Sequence, residues 1–293
     1  MSLVQPLILE SQQHHASFLR FSLVDREALA DCLSQIQRLY RADDTVIGFG
    51  QPLLAMNNTV VEGVKSAESI HGPKRTSPAN QDDLWLRVSG SDPGEVMLRV
   101  QEWLDVLVPS FSMNEQVNGF CHREGRDLSG YVDGTENPED NAEAVVAKTG
   151  DKGIAGSTML AVQKWQHQLK HFNSLPSKHQ DDIIGRRKSD NVEFPESPPS
   201  AHVRRTAQES FTPEAFMLRR SLPWAEQQDC GLNFVCFANS FYPFEAQLKR
   251  MLGCEDGIED GLFEFSRPLS TAYYWCPPVE ADGQGLDLSV LQA

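Results

Sequence analysis

None of the six cysteines (Cys32, Cys121, Cys230, Cys236, Cys254, Cys276) forms a C-x-x-C pair. A chain of 293 residues also buries enough core to fold without disulfide staples. No run of residues approaches the roughly 18 apolar positions of a membrane span, and mean hydropathy is -0.39. No membrane partner is therefore expected. The opening MSLVQPLILES has no charged leader followed by an apolar run and cleavage site, so the expected setting is reducing and cytoplasmic. Positive charge is scarce: 26 Lys and Arg stand against 41 Asp and Glu, for a net charge of -15. Such a chain is repelled by phosphate backbones and anionic lipid, which argues against nucleic acid as a partner.

A local basic run nevertheless stands at Gly185-Arg186-Arg187-Lys188, followed in the same region by Arg204-Arg205 and Arg219-Arg220. They form either a solvated face or a cradle for a small anionic group, such as a phosphate or the carboxylates of a cofactor.

Hydrophobic periodicity supplies the elements. Leu19, Phe21 and Leu23 alternate with polar residues over Phe18 to Val24, and Leu29, Cys32, Leu33, Ile36 and Leu39 follow at helical spacing. Val46 to Phe49 reads as the returning strand of a β-α-β unit. Leu84, Leu86 and Val88 alternate again, and Ser91-Asp92-Pro93 is a helix start. The pattern recurs with a strand at Thr158 to Lys164, helical pieces through Leu175 and Gln180 to Ile184, a strand at Leu232 to Ala238 and a helix at Phe244 to Leu252. Two α/β halves, 1–145 and 146–293, are expected. Asn57 to Asp82 and the proline-rich Asp190 to Ser200 read as irregular.

The stretch RDLSGYVDGTENPED places Asp133 between Gly130 and Gly134, with Asn137-Pro138 closing the turn. An Asp-Gly turn on its own only bonds its own backbone. The longer run, however, resembles the G-x-x-D-G-T-x-N-P signature of the dye-decolorizing peroxidase superfamily, whose aspartate lies on the peroxide side of a haem. PPSAHVRR is similar to the segment that carries the iron-binding histidine, and LRRSLPW to the one that carries the distal arginine. IIGRRKSDNVEF and DGIEDGLFEFS resemble two further family segments.

The resemblance covers most of the chain and implies an α+β fold of two ferredoxin-like β-α-β halves (duplicated ferredoxin-like, dimeric α/β barrel type), with haem b in the C-terminal half. The shorter bacterial P or B class is the expected group. The implied roles are His202 as iron ligand, Asp133 as proton carrier and Arg219 as charge stabiliser. Gly134, Thr135 and Arg186 are expected cofactor contacts, Arg186 toward the propionates. The second ring nitrogen of His202 needs an acceptor, for which Asp260 is the candidate and Asp256 the fallback. Arg219 and Arg220, being adjacent on a strand, point oppositely, so only one faces the haem. Ser221 stands where close relatives often carry asparagine.

The implied activity reduces hydrogen peroxide and oxidises a bulky aromatic reductant in one-electron steps, at the haem edge or through Trp165, Trp224, Tyr131, Tyr273, Tyr274 or Trp275. A distal carboxylate near the ordinary value of roughly 3.9 implies an acid optimum. A homo-oligomer is expected, and the end GQGLDLSVLQA does not read as a nanocompartment tail. A haem-handling protein with incidental peroxidase activity, and a cofactor-free α+β protein, remain open alternatives.

Overall fold

The computed structural model describes residues 3–10, 15–138 and 140–291; residues 1–2 of the opening segment, 11–14, 139 and the final 292–293 lie outside it. The first half runs β1 (His15–Leu23), α1 (Leu29–Leu39), β2 (Thr45–Phe49), β3 (Leu84–Gly90), α2 (Pro93–Leu107) and β4 (Phe111–Gly119). The second runs β5 (Thr158–His167), α3 (Leu169–Ser174), α4 (Ser177–Ile184), α5 (His202–Arg205), β6 (Leu222–Glu226), β7 (Asp229–Ala238), α6 (Tyr242–Met251) and β8 (Ser266–Cys276). Strand order is β2-β3-β1-β4 in one half and β8-β5-β7-β6 in the other. With strands counted within each half, both orders place the third beside the first, the ferredoxin-like arrangement. β1 and β2 are thus separated by β3, which pairs antiparallel with each.

The two sheets join edge to edge through Trp275↔Phe49 and Gly119↔Trp224, closing an antiparallel barrel and removing its open edges. Alternation along the strands fills both faces. Phe18, Val46, Trp85, Leu160, Val162 and Tyr274 belong to one buried cluster. Leu19, Ile47, Leu86, Ala161, Tyr273 and Trp275 join a second cluster with residues of α1, α2 and α6. Burial on both faces explains why Leu84 to Ser89 is buried throughout. α1 contributes Leu29, Cys32, Leu33 and Ile36 to the second cluster, the leucines and isoleucine each worth about 1.5–3 kcal/mol if fully buried. α2 starts where Asp92 accepts bonds from Gly94 N (2.8 Å) and Glu95 N (3.0 Å).

A short helix, Pro6–Leu9, packs Leu7 and Ile8 into the first cluster. Gln5 ties it down by donating to Ile47 O and Pro277 O and accepting from Ile47 N. Of the two irregular regions, the first holds a small hairpin, Ile70–His71 with Thr76–Ser77. The second leads directly into α5.

Candidate active site

The stretch around Asp133 folds as a hairpin between the two halves. Arg126 and Val132 pair across it, Asp127 N donates to Tyr131 O at 2.9 Å, and Asp133 N donates to Gly125 O at 3.0 Å. Gly130 (φ 91°) and Gly134 (φ 76°) take left-handed conformations, which is why glycine stands at both. Asp127, Tyr131 and Asp133 line an inner cavity together with His202, Arg219, Met217, Leu248, Phe244 and Trp165. Asp127, Asp133 and Arg219 also line an outer cavity of about 790 Å³, so they stand at the junction of the two.

His202 opens α5, and its Nδ1 lies 2.8 Å from Asp260 Oδ2. The Asp260 side chain is fully buried and also accepts from Leu262 N at 2.8 Å, capping a short 3-10 turn. A carboxylate held this way fixes the ring and leaves Nε2 as the uncommitted nitrogen. Asp256 is engaged elsewhere, gripping Arg205 through two bonds of 2.7 and 2.9 Å. Between the two acids considered for His202, the geometry selects Asp260.

Arg219 ends the short strand Leu218–Arg219 and Arg220 lies just beyond it; both line the outer cavity, but only Arg219 also reaches the inner one. Arg220 donates to Ile8 O (2.9 Å) and Leu9 O (3.0 Å), pinning the end of the N-terminal helix. Arg219 lines both cavities, and its Nε is buried without a hydrogen-bond partner among the described residues. Asn137 holds its backbone, accepting from Arg219 N at 2.8 Å and donating to Arg219 O at 3.2 Å. Asn-Pro in the hairpin segment thereby sets the position of a residue 82 places later in sequence.

Burial pushes the Asp133 carboxyl above its ordinary value; Arg219 opposes this, the Asp127 charge adds to it, and the Gly134 N–H and His202 oppose it more weakly. Asp127 behaves in the opposite way. Burial alone would raise it, but the hydrogen bond and charge of His167, with the hydroxyl and N–H of Ser129, bring it down to about 2.

Not every expected residue reaches this place. Thr135 is exposed and lines neither cavity. Arg186 also lies outside both linings: its guanidinium is held by Glu136, by Glu193 at 2.6 Å and by Asn191 O at 3.1 Å. Two carboxylates already satisfy its charge. Among the candidate relay aromatics, Trp165 and Tyr131 line the inner cavity, and buried Trp224 donates to Trp165 O at 3.0 Å. Tyr273, Tyr274 and Trp275 are core residues. Sequence reading missed His167, whose Nε2 lies 3.1 Å from Asp127 Oδ1; the two are 40 positions apart, and no local pattern joins them.

Residues 124–281 match the Dyp-type peroxidase, C-terminal family. The chain is 28% identical over 301 residues to the dye-decolorizing peroxidase of Rhodococcus erythropolis, covering 94% of this chain and 87% of that one. It is 26% identical to the dye-decolorizing peroxidase of Mycolicibacterium paratuberculosis, covering 85% and 76%. In three dimensions it resembles a dyp-type peroxidase protein from Shewanella oneidensis, with a TM-score of 0.89, 25% identity and coverage of 100% and 99%. It also resembles a DypB variant from Rhodococcus jostii in complex with haem, with a TM-score of 0.82, 23% identity and coverage of 94% and 97%. The matched segment spans more than half of the sequence and contains Asp133, His202, Arg219 and Asp260 together, and the chain belongs to the Dyp-type peroxidase family.

Proposed function

We propose that this protein is a haem peroxidase that reduces hydrogen peroxide and takes electrons one at a time from bulky aromatic donors. One observation carries the reading: His202, fixed through Nδ1 by a buried carboxylate, shares a cavity with the half-buried Asp133 carboxyl and an arginine whose Nε has no partner among the described residues. An orphaned buried N–H is costly unless something arrives to accept it. The remaining walls, with Leu232, Phe234, Phe244, Leu248, Met217 and Met251, suit an apolar macrocycle. The free volume of about 120 Å³ is tight for one, so uptake requires these side chains to move aside, as unbranched Met does readily.

His202 would hold haem b through Nε2, with Asp260 keeping the ring in the right tautomer. When bound, haem supplies an iron that takes up peroxide and a store for the oxidising equivalents passed to donors. The chain's own part is proton and charge management. Ionised Asp133 accepts a proton from one peroxide oxygen and returns it to the other as the O–O bond breaks. Arg219 meets the charge growing on the departing oxygen without surrendering its own proton. Asn137 fixes the strand residue that carries this guanidinium. The shorter bacterial P or B class is the group to which this reading assigns it. Six unpaired cysteines are in keeping with a reducing, cytoplasmic setting.

The deciding experiment is an absorption spectrum after haem supplementation, for wild type and His202→Ala. A strong Soret band that the substitution alters or abolishes, with peroxide reactivity lost in Asp133 and Arg219 variants that still hold haem, supports the peroxidase. Haem uptake with peroxide turnover indifferent to both residues would favour a haem-handling protein. No uptake by the wild type would sink the reading.

A further inference from the structure

Asp127 and His167 form a buried polar unit that the chemistry above leaves without a task. His167 is the last residue of β5; its Nε2 lies 3.1 Å from Asp127 Oδ1 and its Nδ1 lies 2.7 Å from Ser266 Oγ on β8. The other oxygen of Asp127 accepts Ser129 N at 2.8 Å. Asp127 and Asp133 sit on facing arms of one short hairpin, on either side of the Arg126↔Val132 pair, and both open onto the two cavities. The His167 contact therefore does two things. It fastens the hairpin to a barrel strand, and it stabilises a carboxylate that stays ionised beside one whose proton has to move.

We propose that Asp127, anchored by His167, is a positioning residue for Asp133, tying its hairpin to the barrel and keeping a permanent negative charge next to it. This rests on the peroxidase reading for its kinetic consequence, though not for its electrostatics. The groups facing Asp133 are Arg219 from its short strand, His202 from α5, and Asp127 on its own hairpin. Those facing Asp127 are His167 from β5, Ser129 from the hairpin and Cys230 from β7. Arg219 and His202 favour the ionised form of Asp133. Asp127 opposes them, so that Asp133 holds a returned proton more firmly than an arginine-paired carboxylate would.

The test follows the Asp133 side-chain carbon by NMR in 13C-aspartate-labelled protein, assigned by its loss in Asp133→Asn. The acid limb of the peroxide reaction of haem-loaded enzyme is followed in parallel. Asp127→Asn is expected to lower both midpoints by about half a pH unit or more, whereas Asp127→Glu, which keeps the charge, holds them near wild type. Asp127→Ser is a second neutral variant and reads the same shift should the first not fold. Unmoved midpoints, or a rate lowered equally at every pH, would reduce Asp127 to a structural residue and overturn the proposal. If wild type fails to react with peroxide, the peroxidase reading falls, while the NMR titration still decides whether Asp127 tunes Asp133.

Discussion

Asp133 combines two demands that conflict. The task proposed for it requires the ionised form, yet burial and the Asp127 charge favour the protonated one more than Arg219 offsets. A group whose folded-state pKa is raised binds protons more tightly folded than unfolded, so it costs stability as pH climbs past the unfolded value of roughly 3.9. Asp133→Asn should then melt at a higher temperature than wild type at pH 7 while losing at least about a hundredfold in its rate with peroxide. Calorimetry beside stopped-flow absorbance checks both, and a variant that is less stable at pH 7 would show the burial argument to be wrong. The same shift revises the acid optimum that an ordinary aspartate implies: the low-pH loss of rate should begin above the value of an exposed carboxyl. The turn that presents Asp133 was legible because its motif is contiguous. The tuning of that carboxyl was not, since His167 reaches Asp127 only after β5 has folded against the hairpin.

Among the elements, the junction of α4 and α5 sets the histidine. Gly185 caps α4 in the left-handed region at φ 92°, and a Cβ there would lie 2.3 Å from Val203 Cγ2 and 3.2 Å from Ala201 Cβ. Those two residues flank His202. Gly185→Ala should cost about 1–2 kcal/mol for the left-handed backbone and about 1–3 kcal/mol for overpacking, and should weaken haem retention by displacing α5. Urea unfolding of the haem-free chain together with haem titration reads both effects; unchanged stability would show that the helices separate freely. The resemblance of IIGRRKSDNVEF to a family segment marked the stretch that holds this glycine, and the clash supplies its physical reason. Other elements were hidden. β4, FSMNEQVNG, mixes exposed and half-buried positions without clean alternation, and β8 contains Pro268 at a register shift, so neither carries the period-2 signal that marked β1 and β3.

At the scale of the whole molecule, the two halves suggested by repeating pattern share a core. The larger cluster joins Leu19, Phe21 and Trp103 of the first half to Trp165, Phe244, Tyr273 and Trp275 of the second. Each seam of the barrel is a single strand pair, Trp275↔Phe49 or Gly119↔Trp224, which no local sequence pattern announces. Separating the halves would expose that shared cluster, so residues 1–145 alone should not unfold cooperatively, and the full chain should melt in one transition. Two resolved calorimetric transitions would contradict this. Because the candidate haem residues lie both on elements of the second half and on the hairpin between the halves, haem binding should stabilise the whole unit. At free haem 100-fold above its dissociation constant the gain is about 2.7 kcal/mol. His202→Ala should lose most of that increment, and it should also lower the haem-free melting temperature, because the fully buried Asp260 carboxylate loses its 2.8 Å partner. The two effects separate in the increment itself: haem titrated into His202→Ala should raise its melting temperature far less than it raises that of wild type, and an equal rise in both would remove His202 from haem binding.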